Sequence, residues 1–277
     1  MKYSKSTIKN GVTFHKIETN KFKTNLFAIF LTTPISKANV TKNALISAVL
    51  RRGTNTIQTQ SEISKKLESM YGASFDCGIE KNGDNQILKF YIESINDEFL
   101  PQKENLSKES LQLLYDIVFN PYTENGGFKK EYVEGEKNTL KQVIDGKIDN
   151  KTKYALDRCI EEMFKNEAFG LYKFGYTDDL EKLNEKELYE DYKKLISECK
   201  IDIFVSGFNI DKLNENEIFS NLNERAPQYI PIKIQSENKQ INEPKVITEK
   251  MNITQGKLMI GLNINDLNEN EQYIASM

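Results

Sequence analysis

The sequence predicts an α+β fold, a mixed or antiparallel sheet packed against helices. Two observations lead there. Short apolar or alternating runs come in neighbouring pairs, clearest at Ser74 to Glu80 and Gln86 to Ser94 around Lys81-Asn82-Gly83-Asp84. Between such pairs lie longer stretches whose apolar residues recur at helical spacing. At 277 residues, 38% hydrophobic and 29% charged, the chain can bury a core without staples.

The elements follow in order. Gly11 to Glu18 and Thr24 to Thr33 read as two strands of a hairpin or meander, the second apolar enough to be buried. Asn39-Val40-Thr41 offers caps for a helix from Lys42 to Arg52, ended by Gly53. Ala44, Leu45, Ile46, Ala48, Val49 and Leu50 cover most of its circumference, so it should be buried. Ser61 opens a second helix with Ile63, Leu67, Met70 and Tyr71 on one face, stopped at Gly72. After the strand pair, Ser107 caps a helix carrying Leu111, Leu114, Tyr115 and Val118. Beyond Pro121 and Gly126-Gly127, a charged helical region runs from Phe128 to Phe164, bent near Gly146. A loop with Gly170 and Gly175 leads to a helix with Leu188, Tyr192, Leu195 and Ile196, then to a strand from Ile201 to Ser206.

From 222 to 255 the character changes. Pro227, Pro231 and Pro244 lie in Asn-, Gln- and Glu-rich sequence, as in an extended linker. Lys257 to Asn263 then reads as a strand and Asn268 to Met277 as the start of a helix. Residues 1–221 are therefore expected to form one domain, and residues 256–277 the cut-off start of another. The string Leu-Asn-Glu-Asn-Glu occurs at Leu213 and at Leu267, either by chance or as repeated helix-start chemistry.

Composition excludes several functions. A net charge of -3, with Lys and Glu alternating along Glu181 to Lys194, argues against nucleic acid. The longest apolar stretch, Leu26 to Leu31, is too short to span a membrane, and Met1-Lys2-Tyr3-Ser4-Lys5 lacks a signal-peptide core. Cys77, Cys159 and Cys199 show no paired spacing, which fits free, packed thiols in a cytoplasmic protein. The single histidine, His15, lies on an alternating run and is expected to be exposed or on an edge strand. A catalytic zinc site takes two or three histidines, so no metal or other cofactor is expected. A site built from His15 and three scattered cysteines lacks any C-x-x-C pair.

Four local patterns, in order, resemble the pitrilysin/insulinase family of zinc peptidases. Ala44-Leu45-Ile46-Ser47-Ala48-Val49-Leu50-Arg51-Arg52-Gly53-Thr54 is similar to the helix that carries H-x-x-E-H and a following Gly-Thr. Glu62-Ile63 with Leu67-Glu68-Ser69-Met70-Tyr71-Gly72-Ala73 resembles the next helix and its small-residue turn. Glu134-Gly135-Glu136-Lys137-Asn138-Thr139-Leu140-Lys141-Gln142-Val143-Ile144 resembles the long helix E-x-E-K-x-V-V-x-E-E-I. Phe169-Gly170-Leu171, Gly175, Leu183, Leu188, Tyr192, Lys193 and Lys194 resemble the loop and return helix, with Val205-Ser206-Gly207 at the closing strand.

The resemblance implies an emptied site. In the family two His one turn apart grip Zn²⁺, the Glu between them is the general base, and a Glu of the long helix is the third ligand. Those positions fall on Ala44 and Ala48, on Ser47, and on Val143; the accessory acid is kept as Glu136. Ala and Val would fill the old site with apolar packing. Glu136 itself reads first as an exposed helix charge, then as a relic or a residue with a new role.

The resemblance further implies a zinc-less subunit. It would pair, as a heterodimer, with an active H-x-x-E-H homologue around an extended peptide or protein substrate. The small bacterial paired type, associated with modification of elongation factor P by 5-aminopentanol, is the most similar. A second reading is a stand-alone scaffold that recognises extended peptides through a strand edge. A third is a residual enzyme that uses Glu136 or a cysteine.

Overall fold

A computed structural model describes residues 1–210, 213–219, 222, 225, 243–251, 254–262 and 267–275. The chain opens with strands β1 (Lys2–Lys9), β2 (Val12–Glu18) and β3 (Thr24–Pro34), followed by helices α1 (Val40–Leu50) and α2 (Gln60–Ser69). Strands β4 (Ser74–Asn82) and β5 (Asn85–Ile95) precede α3 (Leu106–Phe119) and a short hairpin of β6 (Thr123–Glu124) and β7 (Gly127–Phe128). Then come α4 (Lys130–Asp145), α5 (Lys151–Met163), α6 (Thr177–Glu181), α7 (Glu185–Glu198) and β8 (Lys200–Gly207). Helices α8 (Glu215–Phe219) and α9 (Glu269–Ala275) complete the described elements.

The main sheet has the order β1-β2-β8-β3-β5-β4; β8 runs parallel to β2 and antiparallel to β3. This is the α+β architecture the sequence predicts, with one correction. β2 and β3 are not hairpin partners, because β8 is inserted between them. β8 alternates Ile201, Ile203 and Val205 on one face, all fully buried, as suits a central strand bonded on both sides. The buried face of the sheet (Phe14, Phe27, Ile29, Leu31, Phe90, Ile92, Ile203) joins one core with α1, α3 and α7. The opposite face carries Tyr3, His15, Phe204, Phe30 and Tyr91.

Two junctions fix how the strands meet. Gly207 sits where a Cβ would lie 1.8 Å from Asn25 Oδ1. That close approach lets buried Asn25 accept from Asn96 Nδ2 (2.9 Å) and Phe208 N (3.2 Å) while donating to Ser107 Oγ (2.9 Å). Ser107 is thus inside α3 and not its cap; the helix starts one residue earlier, after Asn105.

Other boundaries shift for local reasons. Thr59 and Glu62 make a reciprocal capping box, so α2 begins at Gln60 and not at Ser61. The charged region predicted as one bent helix is two, separated by a turn of 3-10 helix at Gly146–Ile148. The repeated Leu-Asn-Glu-Asn-Glu spans the starts of α8 and α9. At the second copy Asn268 Oδ1 accepts from Glu271 N (3.1 Å) and Glu271 Oε2 from Asn268 N (2.8 Å), which is helix-start chemistry.

Residues 226–242 of the predicted linker lie outside the described residues. Residues 243–250 form no helix or strand and meet α5, where Glu249 accepts from Arg158 Nε (2.8 Å) and Tyr154 Oη (2.9 Å). The strand predicted from Lys257 is not formed over 257–262, and Asn263 is outside the described residues. Leu258, Ile260 and Leu262 are 82%, 73% and 78% exposed; without a neighbouring strand among the described residues, no ladder forms. No helix among the described residues is long and apolar enough to cross a membrane.

Candidate functional site between two helices

α1 is apolar nearly all round, and the fold uses this. It is packed by α4, α6 and α7 and by strands β4 and β5. Its few polar groups are paired. Asn43 Nδ2 donates to Gln86 Oε1 (2.9 Å), and Gln86 Nε2 donates to Val40 O (3.0 Å) and Lys173 O (2.8 Å). Thr41 Oγ1 accepts from Tyr176 N (3.1 Å).

Ala44 and Ala48 lie one turn apart on α1, with Ser47 between them, and α4 packs against this helix. Ala44 and Ser47 are each 3% exposed, and Ala48 is half-buried. None of these side chains is a zinc ligand or a base at neutral pH. Val143 departs from the expected apolar packing, being 42% exposed. The buried stripe of α4 runs Val133, Glu136, Leu140, and at the last turn it is Ile144 that turns toward the core.

Glu136 also departs from expectation. It is no exposed helix charge: the residue is 4% exposed, and its Oε1 lies 2.7 Å from Arg52 Nε just beyond the end of α1. The Arg52 Nε–H is not aligned on that oxygen, so the contact is an ion pair rather than a hydrogen bond. Arg52 Nη1 donates to Gln60 Oε1 (2.8 Å), and its guanidinium lies 5.8 Å from the Tyr132 ring centre. Gly135 leaves the room: a Cβ there would stand 3.1 Å from Arg52 Nη2. The signal for Arg52 lies in the sequence itself, because two arginines closing an otherwise apolar helix mark a place where charge must be met.

The site offers no substitute nucleophile. Cys77, on β4, points its Sγ toward Ser47 O at 3.9 Å. Burial pushes its thiol up to about 11, against the smaller opposing pull of Arg51, so it stays protonated and unreactive at neutral pH. Glu136 is paired with Arg52 at the end of α1.

His15 is far from this place and is neither exposed nor on an edge. It sits on β2 between β1 and β8, its side chain 12% exposed. The ring stacks on Phe204 at 4.1 Å; Nε2 lies 3.1 Å from Asp202 Oδ1, and Nδ1 2.8 Å from Tyr3 Oη. It is a satisfied structural histidine. Among the described residues no group of three or more His, Cys, Asp or Glu is placed to hold a metal. Two surface clefts, of about 590 Å³ beside α3 and 480 Å³ beside α1, are lined by mixed charges and reach none of Ala44, Ser47, Ala48 or Val143.

Ala44, Ser47, Ala48 and Val143 thus place no metal-ligating side chain on these two helices. No family model matches the chain. It is 33% identical over 254 residues to a probable inactive metalloprotease, YmfF, of Bacillus subtilis (strain 168), covering 91% of this chain and 59% of that protein. A conserved protein from Enterococcus faecalis V583 superposes with a TM-score of 0.74 at 26% identity, over 86% of this chain and 57% of that one. A peptidase M16 inactive domain from Pseudomonas fluorescens shares the fold at a TM-score of 0.62 and 13% identity, over 84% of this chain and 53% of that one. The chain is thus similar in sequence to a probable inactive metalloprotease and shares the fold of a peptidase M16 inactive domain, and it spans somewhat over half the length of the proteins it matches. With His15 as its one histidine, the sequence holds no H-x-x-E-H pair.

Proposed function

We propose that this chain is the zinc-less subunit of a two-chain peptidase, pairing with an active homologue that carries H-x-x-E-H. The observation that carries the reading is the α1–α4 framework: its metal positions hold Ala44, Ala48 and Val143, and its remaining acid is committed to Arg52. A fold kept while its chemistry is emptied suits a chain retained for its surfaces. On this reading residues 1–221 form the first of two similar domains and residues 256–277 open the next. The pair would be cytoplasmic and would enclose an extended peptide or protein, with the zinc, the base and the bond cleavage all on the partner. A role in modification of elongation factor P is the specific form of the proposal, and it rests on the sequence resemblance.

The test is affinity purification of the tagged protein from its native cells, with mass spectrometry of what co-elutes. Recovery of an H-x-x-E-H homologue near one-to-one is the expected result. Recovery of unrelated proteins alone would end the pairing reading.

A further inference from the structure

The last strand of the sheet, β4, has one side bonded to β5 and, among the described residues, no strand on its other side. Gly83 and Asp84 form a two-residue turn, with Gly83 at φ +54° and Asn82 opposite Asn85. In such turns the closing pair exchanges both of its hydrogen bonds, and the pattern then alternates along the ladder. The backbone groups of Lys81, Ile79, Cys77 and Phe75 therefore point away from β5, along the outer edge.

Two side chains occupy that edge. Cys77 N donates to Asp76 Oδ1 at 2.8 Å, and Ile79 O accepts from Lys173 Nζ at 2.9 Å. Both caps are held from behind. Tyr91 Oη donates to Asp76 Oδ2 (2.8 Å), and Gln86 Nε2 donates to Lys173 O (2.8 Å). Lys81 ties the same loop across the strand end, donating to Phe169 O (2.6 Å) and Leu171 O (3.0 Å). A donor and an acceptor that an incoming strand would need are thus already spent, one at each of two successive outward-facing residues.

An uncovered edge recruits any extended chain through its main-chain groups, and proteins close such edges with charged side chains. We infer that Asp76 and Lys173 close the β4 edge against strand addition, so that an extended polypeptide can join this sheet only by displacing both. The inference does not depend on the pairing reading, and it counts against a stand-alone binder that works through this edge.

The test uses Asp76→Ala, Lys173→Met and the double variant of the full chain. Circular dichroism and melting verify folding, and Lys173→Met alone carries the test at Ile79 should Asp76→Ala not fold. The probe is a fluorescent eight-residue peptide of alternating Val, Thr and Lys, beside a backbone N-methylated copy that cannot donate ladder hydrogen bonds. Binding is read by anisotropy, and exchange of the Cys77 amide by NMR. The expected result is no binding to the wild type, binding to the double variant that N-methylation removes, and at least tenfold faster Cys77 exchange without Asp76. Wild-type binding equal to that of the double variant, a double variant that binds nothing, or unchanged Cys77 exchange would each overturn it.

Discussion

Arg52 Nε stands 2.7 Å from Glu136 Oε1, and the two side chains are 29% and 5% exposed. The pair joins the end of α1 to the middle of α4, and so ties together the two helices that carry Ala44, Ser47, Ala48 and Val143. The asymmetry of burial matters: Arg52 can reach water if its partner is lost, whereas Glu136 cannot.

Arg52→Met should therefore cost about 3 kcal/mol, since it strands a buried carboxylate. Glu136→Leu should cost less, and Arg52→Met combined with Glu136→Leu should recover much of the loss, because an apolar pair removes the uncompensated charge. Urea unfolding of the four proteins closes the cycle. Simple additivity of the two single changes would show that the pair is not coupled.

Gly175 and Gly83 both have positive φ, at +79° and +54°, but their surroundings differ. A Cβ on Gly175 would lie 2.1 Å from Thr41 Oγ1 and 2.5 Å from Thr41 Cα, at the start of α1; a Cβ on Gly83 would meet nothing within 4 Å. Gly83→Ala should cost about 1 kcal/mol from backbone strain alone. Gly175→Ala adds overpacking and the loss of the Tyr176 N to Thr41 Oγ1 bond, for about 3 kcal/mol or more. Thermal unfolding of the two variants gives the comparison, and equal melting shifts would contradict it.

Much of this was legible in the chain. The β4–β5 hairpin and the buried α1 follow from local alternation and helical spacing. What escaped depends on distant residues meeting. The insertion of β8 between β2 and β3 pairs residues nearly two hundred apart, and no local period encodes that. Glu136 looked like one more charge on a charged helix; its burial follows from where Arg52 ends α1. Val143 is similar in kind: helical drift brings Ile144 inward in the last turn of α4, which the aligned string alone does not show.

Rebuilding the site tests whether its frame persists. Ala44→His, Ser47→Glu, Ala48→His and Val143→Glu together would restore the ligand set and base. Ala44 is 3% exposed, so an imidazole there should cost about 1–3 kcal/mol by overpacking, while half-buried Ala48 and 42%-exposed Val143 should accept their replacements more readily. The expected protein melts below wild type without metal, retains one zinc after dialysis by elemental analysis, and regains stability when zinc is added. A quadruple variant that holds no metal would show that α1 and α4 no longer bring these positions together.

The cysteines give a dependence on pH with a definite sign. Burial pushes the Cys199 thiol up to about 12 and the Cys77 thiol up to about 11, both from 9.0. In the unfolded chain these thiols ionise near their ordinary value, while in the folded protein they keep their protons. Above pH 9 the folded state therefore binds more protons, and stability falls as pH rises toward 11 and 12. Below pH 9 the contribution is fully present. Each thiol can supply a slope of up to about 1.4 kcal/mol per pH unit inside its window. Urea unfolding at pH 8, 9.5 and 10.5 should show a steeper loss for wild type than for Cys199→Ala, after allowing for the cavity that the substitution leaves at every pH. At pH 8 a thiol reagent should leave Cys199 unmodified until the protein is unfolded. Parallel pH profiles for wild type and variant would mean that Cys199 ionises as easily folded as unfolded, which a thiol buried against the core cannot do without opening it.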